Sequence, residues 1–204
     1  DHRDLHSFPT RRSSDLIHHP NTKRNGTTMI FKETGLQGAF VIEPEILTDE
    51  RGAFARIFCQ KEFEKHGLNP NISQCSISLN IKKYTLRGMH FQKEPHAEEK
   101  LVRCSRGSIY DVIVDLRPNS STFLQWTAIE ITMENKKMVY VPKGFAHGFQ
   151  TLTDNAEVIY QMSQFYYPGH SGGFRWDDPS FNIEWPAEPI VISPKDQIFP
   201  DFTS

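Results

Sequence analysis

The chain has 204 residues, of which 37% are hydrophobic and 24% are charged, and its formal net charge is −2. That length suits one substantial globular domain. The near-neutral charge excludes a general attraction to nucleic acid or anionic membranes, so phosphate binding would depend on a few placed arginines. No apolar run reaches the ~18 residues of a membrane-spanning helix. We therefore expect neither nucleic acid nor a membrane as a partner.

The first 28 residues differ from the rest of the chain. They are rich in Ser, Thr, Arg and His, show neither helical nor strand periodicity, and run directly into Met29. They hold five of the 23 basic and three of the 25 acidic residues, so residues 29–204 carry 18 against 22 and are mildly acidic. We predict that residues 1–28 are a non-native or disordered leader and that residues 29–204 form a single domain.

Short β-branched and aromatic runs separated by turn residues dominate the chain from residue 38 onward, a pattern typical of strands. The clear helix is residues 60–66, ended by Gly67 as a left-handed cap. Many short strands in one domain predict an all-β sandwich or barrel, most economically a jelly roll. The predicted strands are residues 38–43, 72–80, 108–116, 127–132, 137–141 and 157–164, with further β-structure at 85–92 and 100–104.

The tail, residues 168–202, combines six prolines with several aromatic residues. Proline disfavours helix interiors, so we expect this segment to wrap the barrel as extended chain. Its rings would cover apolar surface and would also cap a pocket.

The cysteine pattern predicts a reducing environment rather than disulfide bonds. Cys59, Cys75 and Cys104 are odd in number and lack metal-ligand spacing. This pattern fits buried free thiols in a reducing cytoplasm better than a disulfide framework.

The segment TLRGMHFQ at residues 85–92, followed by KLVRC at 100–104, concentrates basic groups on β-structure. It contains one imidazole, one ammonium group and two guanidinium groups. Proton abstraction beside a carbonyl would use such a set. His90 would take the carbon-bound proton near neutral pH, and Lys100 would hold the charge that develops on the carbonyl oxygen. The alternative is a polar strand face with a solvated histidine.

The segment VPKGFAHGF at residues 141–149 is a second signal. Its Pro-x-Gly-x-x-His pattern resembles the second motif of the cupin superfamily, small barrels that often hold a metal. A metal-dependent enzyme is therefore an alternative, with His90, His96, Glu98 and His147 as ligands. The histidine pair of the first cupin motif is absent, because His90 is followed by Phe-Gln.

A metal-free reaction needs a base, an acid on the opposite face of the substrate and an oxyanion partner. His90 is the candidate base and Lys100 the oxyanion partner. Tyr160 lies in the strand-like run VIYQM and points to the opposite side of the strand from Ile159. Its phenol is the candidate acid that would return a proton to the other face of the substrate. Arg51 and Arg87 suit phosphate, because the guanidinium fork matches phosphate oxygens. Each of these residues also has a purely structural explanation, Tyr160 as a core tyrosine with a satisfied hydroxyl.

A series of ordered motifs lies between Met29 and Asp196. The motifs are DERG at 49–52, LRGMH at 86–90, KLVR at 100–103, GFAHGF at 144–149, Tyr160 with YY at 166–167, WDDP at 176–179 and SPKD at 193–196. Together they resemble the dTDP-4-dehydrorhamnose 3,5-epimerase family. The resemblance implies a cytoplasmic, metal-free homodimer of cupin fold, with no cofactor, that acts on a nucleotide-linked 4-keto-6-deoxyhexose.

The resemblance also implies roles for individual residues. His90 would be the base, oriented by Asp196, with Tyr160 as the acid and Lys100 as the family's active-site lysine. A carboxylate on the imidazole would fix its tautomer and stabilise the imidazolium. The remaining positions that match substrate contacts or the second active-site histidine of the family are Arg51, Gln74, Arg87, His147 and Tyr166.

The chain departs from the family pattern at several positions. Cys75 and Ser76 stand where Asp-Asn is common, Arg56 where a glutamate is common, and Tyr140 where a tryptophan is common. These changes concern the identity of the sugar and the number of carbons inverted more than proton transfer. The predicted function is epimerisation at C3, C5 or both carbons of a dTDP-linked 4-keto-6-deoxyhexose. A metal-dependent cupin enzyme and a non-catalytic sugar-nucleotide binding module remain the alternatives.

Overall fold

The computed structural model describes residues 27–203 and is built mainly from β-strands. The leader predicted for residues 1–28 lies outside the described residues up to residue 26. The strands are β1 (Met29–Glu33), β2 (Phe40–Pro44), β3 (Ile46–Asp49), β4 (Gly52–Ala55), β5 (Gln74–Asn80), β6 (Thr85–Gln92), β7 (Lys100–Arg106), β8 (Ser108–Asp115), β9 (Trp126–Thr132), β10 (Met138–Val141), β11 (Phe145–Thr151), β12 (Ala156–Met162), β13 (Ser171–Gly173) and β14 (Val191–Ile192). The helices are α1 (Gln60–Lys65) and α2 (Pro194–Gln197), and a 3-10 turn spans Pro168–His170.

Two sheets form the body of the domain. Sheet 1 has the strand order β1-β2-β10-β7-β12-β5, and sheet 2 has the order β13-β6-β11-β8-β9, with β14 also paired to β6. Neighbouring strands are antiparallel except in the β14–β6 pair. Strands distant in sequence lie side by side in both sheets, as in a jelly roll. The predicted all-β cupin-type barrel is confirmed.

The main core lies between the two sheets. Alternate side chains of β8 and β11 point inward from sheet 2 and meet those of β7, β10 and β12 from sheet 1. Removing this apolar surface from water is the largest favourable contribution to folding. The buried members are Leu36, Ala39, Val102, Cys104, Ile109, Ile113, Ile131, Val139, Val141, Phe145, Phe149, Ala156 and Val158.

The outer faces of both sheets are also covered. Helix α1 lays Phe63 on sheet 1, against Ile42 and Met138. The tail lays its rings on sheet 2, where Phe174 and Phe181 stack with centroids 4.5 Å apart. The predicted covering role of the tail is therefore confirmed.

The expectation that the tail contains no helix is wrong for the short helix α2. Ser193 caps this helix by accepting a hydrogen bond from the Asp196 N–H at 3.0 Å, and Pro194 occupies the first turn. A serine cap followed by proline favours a helix start. The proline-rich composition of the whole tail concealed this local signal.

Strands β6 and β11 approach each other closely beside a cavity that lies between the two sheets. A Cβ on Gly88 would lie 2.6 Å from the Cα of Gly148, and Gly88 has φ +138°. The pairing register of β6 and β11 shifts at this place. Strand alternation would put Arg87 and His90, three positions apart, on opposite faces, but the irregularity lets both line the same cavity.

The predicted strands at 38–43, 72–80, 108–116, 127–132, 137–141 and 157–164 correspond to β2, β5, β8, β9, β10 and β12. The predicted helix corresponds to α1, and Gly67 is left-handed with φ +70°. The cysteines are free thiols, but Cys75 is exposed, so the prediction of uniformly buried thiols is wrong. Neither helix in residues 27–203 is long and apolar enough to cross a membrane.

Candidate active site

Two adjoining cavities open between the sheets. The larger has a volume of about 320 Å³ and the smaller about 170 Å³. His90, Lys100 and Tyr160 line both, so these side chains stand where the cavities meet. The other lining residues of the larger cavity are Gln74, Ser76, Phe91, Gln92, Glu98, Met162, Tyr166, Ser171 and Lys195, and those of the smaller are Arg87, His147 and Phe149.

His90 and Asp196 form a hydrogen-bonded pair, although they are 106 positions apart in sequence. The Nε2 atom of His90 lies 2.8 Å from Oδ1 of Asp196. Asp196 is buried, while the imidazole is partly open to the cavity. The second carboxylate oxygen accepts a hydrogen bond from the Gly88 N–H at 3.3 Å. Strand β6 therefore supplies both the imidazole and the amide that anchors its partner.

The charge state of Asp196 follows from these contacts. Burial raises the pKa of the carboxyl group. The hydrogen bond and charge of His90, together with the Gly88 amide, lower the pKa by more than burial raises it, so it lies below its ordinary value. Asp196 is accordingly ionised at neutral pH. An ionised partner stabilises an imidazolium and leaves Nδ1 of His90 as the nitrogen that can receive a proton.

Lys100 has a carboxylate partner that the sequence reasoning placed in another role. Its Nζ atom lies 3.1 Å from Oε1 of Glu98, and both side chains are largely buried. The sequence suggests Glu98 only as a metal ligand. Because this ion pair holds the ammonium group at the cavity wall, Lys100 is placed to meet an oxyanion there.

Tyr160 lines the cavities from the sheet opposite to that of His90. It lies on β12 of sheet 1, whereas His90 lies on β6 of sheet 2, and both line the two cavities. A sugar bound between them would meet the imidazole on one side and the phenol on the other. This arrangement suits proton removal and return on opposite faces.

His147 belongs to a second histidine–aspartate pair that includes Asp111, a residue the sequence reasoning missed. Nε2 of His147 lies 2.7 Å from Oδ2 of Asp111, and Asp111 is completely buried. His147 is the cross-strand neighbour of His90. Strand alternation is the sequence signal that could have identified Asp111, because Asp111 stands between Ile109 and Ile113 on the inward face of β8.

The remaining sequence-predicted residues divide into two groups. Gln74 and Tyr166 line the larger cavity and Arg87 the smaller, where its Nε donates to Asn80 Oδ1 at 2.7 Å. Arg51 instead lies on the β3–β4 hairpin, highly exposed and paired with Asp49. It is not among the lining residues of either cavity.

The ligand set of the metal-dependent alternative is not assembled. His96 stacks on Tyr167 with ring centroids 3.6 Å apart, and it lines neither cavity. Within residues 27–203, no group of three or more His, Cys, Asp and Glu side chains is arranged to hold a metal ion.

The departures from the family pattern have local partners. Arg56 pairs with Glu62 at 3.0 Å. The hydroxyl of Tyr140 accepts the Asn69 N–H at 3.2 Å, and burial raises the pKa of Tyr140 to about 12. Ser76 lines the larger cavity, whereas Cys75 is exposed and does not. Of these changes, Ser76 is the one on the wall of the larger cavity.

Comparison with known proteins gives consistent matches. A family model described as dTDP-4-dehydrorhamnose 3,5-epimerase matches residues 33–204. The enzyme of that name from Methanothermobacter thermautotrophicus is 44% identical over 170 residues, covering 82% of this chain and 91% of the relative.

Solved structures agree with the sequence matches. The dTDP-4-dehydrorhamnose 3,5-epimerase from Bacillus anthracis, solved with TDP and PPi bound, has a TM-score of 0.83 and 39% identity, covering 86% of this chain and 100% of that one. The dTDP-6-deoxy-D-glucose-3,5-epimerase from Legionella pneumophila, in complex with dTDP-4-keto-L-rhamnose, has a TM-score of 0.78 and 34% identity, with coverage of 87% and 100%.

Proposed function

This chain belongs to the dTDP-4-dehydrorhamnose 3,5-epimerase family, and we propose that it epimerises a dTDP-linked 4-keto-6-deoxyhexose at C3, C5 or both carbons. The substrate would be dTDP-4-dehydro-6-deoxyglucose and the product dTDP-4-dehydrorhamnose. The observation that carries the proposal is the His90–Asp196 pair at 2.8 Å, set in a cavity that Lys100 and Tyr160 also line. Simple binding of a sugar nucleotide would not need this acid–base set.

His90 removes the proton from the carbon beside the C4 carbonyl. The keto group makes the protons on both neighbouring carbons acidic, so the reaction needs no cofactor. Asp196 accepts the hydrogen bond from Nε2–H of His90, which leaves Nδ1 to take the proton. A positioned general base contributes about 10²–10⁴ in rate.

Lys100 and Tyr160 complete the reaction. Proton removal moves negative charge onto the C4 oxygen, and the Lys100 ammonium stabilises this enolate oxygen. An oxyanion donor is worth about 10²–10³ in kcat in other enzymes. Tyr160 then protonates the carbon from the side of sheet 1, opposite His90, and this inverts the configuration.

Arg87, Gln74, His147 and Tyr166 contact the substrate around these reacting groups. Arg87 provides a guanidinium group for phosphate oxygens. The protein acts as a cytoplasmic enzyme without a nucleic-acid or membrane partner.

We also propose that the chain forms a homodimer. Strand β5 is an edge strand of sheet 1, and its outward side chains Ile77 and Leu79 are 55% and 64% exposed. Ile81, the residue directly after this strand, is 73% exposed. Phe54 on the β3–β4 hairpin, which also carries Arg51, is 68% exposed. Exposed apolar rows on an edge strand favour association with another chain. Light scattering after gel filtration should give twice the chain mass, and a monomer would contradict this part.

Replacing His90 by Asn tests the catalytic assignment. We expect the variant to lose proton exchange and turnover, because asparagine cannot accept the substrate proton, while dTDP binding is retained. Turnover is measured by NMR on the 4-keto sugar nucleotide and binding by calorimetry. Unchanged turnover in a folded variant would remove His90 from the role of base.

A further inference from the structure

We propose that Gln92 is a positioning residue that holds Tyr166 at the mouth of the larger cavity and thereby sets the affinity for the nucleotide. This inference rests on the proposed function to the extent that a sugar nucleotide occupies the cavity. It assigns a task to a side chain that neither touches the reacting carbons nor takes part in proton transfer.

The side chain of Gln92 is a buried hydrogen-bonding centre. The residue is 6% exposed and lies two positions after His90 on β6. Its Nε2 donates to the carbonyl oxygens of His96 at 2.9 Å and Phe165 at 3.1 Å, and its Oε1 accepts the Tyr167 N–H at 2.7 Å. The opposite orientation of the amide would set oxygen against two carbonyl oxygens, so this pattern fixes the group.

Apart from this amide, the segment is anchored mainly at Tyr167, whose ring stacks on His96 and whose carbonyl oxygen accepts the Ser171 N–H. Residues 165–167 belong to no helix or strand, and the side chains of Phe165, Tyr166 and Tyr167 are 56%, 57% and 38% exposed. The Tyr166 N–H donates to Oε1 of Gln74 at 2.6 Å. Two glutamines on neighbouring walls of the cavity therefore bind three consecutive backbone groups. Because the exposed Tyr166 ring contributes little burial energy, the position of Tyr166 depends mainly on these hydrogen bonds.

Tyr166 is the functional residue in this segment. Its ring lines the larger cavity and remains more than half exposed, so one face is free to contact a ligand. Stacking of a nucleobase on an aromatic ring typically changes affinity by about 10-fold to 100-fold. A ring contributes this only when its backbone is held in place before binding. Gln92 supplies that restraint from β6.

A second route from Gln92 leads toward the chemistry and must be separated from the first. Nε2 of Gln92 is 3.4 Å from Oε2 of Glu98, and Oε1 of Glu98 binds Lys100 at 3.1 Å. The first of these contacts is long for a hydrogen bond. If Gln92 acted mainly through Lys100, its loss would lower kcat. If it acts through Tyr166, its loss raises KM and the Kd for dTDP.

The test replaces Gln92 by Met, which is similar in size and cannot form these bonds. We expect KM for the 4-keto sugar nucleotide and Kd for dTDP to rise about tenfold, with kcat within about twofold of the original. The double variant Gln92→Met with Tyr166→Ala should bind dTDP no more weakly than Tyr166→Ala alone, because both changes remove the same contact. Gln92→Asn, too short to reach all three partners, gives the same readout if Gln92→Met does not fold.

Gln150 offers a matched control. It is completely buried, and its amide holds the backbone of Ala187 by donating to the carbonyl at 2.8 Å and accepting the N–H at 3.2 Å. It lines neither cavity. Gln150→Met should lower the melting temperature as much as Gln92→Met while leaving Kd for dTDP unchanged.

Three results would overturn the inference. They are a fall in kcat with unchanged Kd, an additive loss of affinity in the double variant, and an equal loss of dTDP affinity in Gln150→Met. Failure of the proposed function is distinguishable, because a chain that binds dTDP but exchanges no substrate protons still reports the effect of Gln92 on Kd.

Discussion

Replacing Asp196 by Asn removes a charge while keeping the shape of a buried side chain. The carboxylate has one oxygen on His90 Nε2 at 2.8 Å and the other on the Gly88 N–H at 3.3 Å. An asparagine can satisfy only one of these contacts as a hydrogen-bond acceptor. If its oxygen faces His90, its NH₂ group meets the Gly88 N–H. If its NH₂ faces His90, Nε2 becomes the acceptor and the proton moves to Nδ1, the nitrogen needed as base.

The magnitude follows from the charge and the tautomer. Unit charges about 4 Å apart attract by about 4 kcal/mol at an effective dielectric constant of 20. The His90 side chain is 39% exposed, so about half of this, roughly 2 kcal/mol or about 30-fold in rate, is lost with the carboxylate. An unsatisfied buried donor or the wrong tautomer adds about 1 kcal/mol or more. We expect kcat to fall about 10²–10³-fold.

The assay compares kcat, KM and melting temperature of Asp196→Asn with those of Asp178→Asn. Asp178 is also buried but holds the backbone of Ser180 and Phe202, away from both cavities. Both variants should lose stability, and only Asp196→Asn should lose kcat. A fall in kcat below about fivefold, or an equal fall in both variants, would refute the assignment of Asp196 as the partner of the base.

Three further predictions concern the acid, the packing and the response to low pH. Tyr160→Phe should reduce inversion much more than hydrogen exchange with solvent, because His90 can still remove the proton; equal loss of both by NMR would remove the phenol from the acid role. Gly88→Ala should destabilise the fold by about 3 kcal/mol in denaturant titrations, from its φ of +138° and a Cβ 2.6 Å from backbone, whereas Gly35→Ala, with open space around it, should change little. Burial raises the pKa of Asp115, but hydrogen bonds from a neighbouring arginine and two hydroxyls lower it to about 2. Its folded pKa lies below the unfolded value, so its stabilisation is present above about pH 4 and lost as pH falls toward 2. Asp115→Asn should therefore flatten this part of the acid melting profile, and an unchanged slope would contradict the linkage.

The parts of the fold that the sequence predicted are those specified locally. β-Branched runs ended by turn residues identified most strands of both sheets, and Gly67 marked the end of α1. Helix α2 was missed, because its signal is one serine and one proline within a segment whose composition opposes helix. Cys75 was expected to be buried, but it is exposed on β5, an edge strand of sheet 1. Which strand lies at the edge depends on how the strands pair, and the local sequence does not specify this pairing.

The candidate site likewise contains residues that the local sequence identifies and pairings that it does not. His90, Lys100 and Tyr160 stand out from their own motifs as chemically useful residues on strands. The pairing of His90 with Asp196 came only from the family resemblance, since no local pattern joins residues 106 positions apart. The partner of His147, Asp111, lies on the neighbouring strand β8, and Gln92 bonds residues 165 and 167, more than 70 positions away, so neither arrangement is encoded locally. Glu98, by contrast, lies only two positions before Lys100. These partners determine which ionisable groups are held in place.

The most direct test is to incubate the protein with dTDP-4-dehydro-6-deoxyglucose in D₂O and to follow C3 and C5 by NMR. We predict incorporation of deuterium at C3, at C5 or at both, together with the inverted sugar, and the carbons labelled will define the reaction as single or double epimerisation. Folded protein that binds dTDP but introduces no deuterium at either carbon would contradict the account.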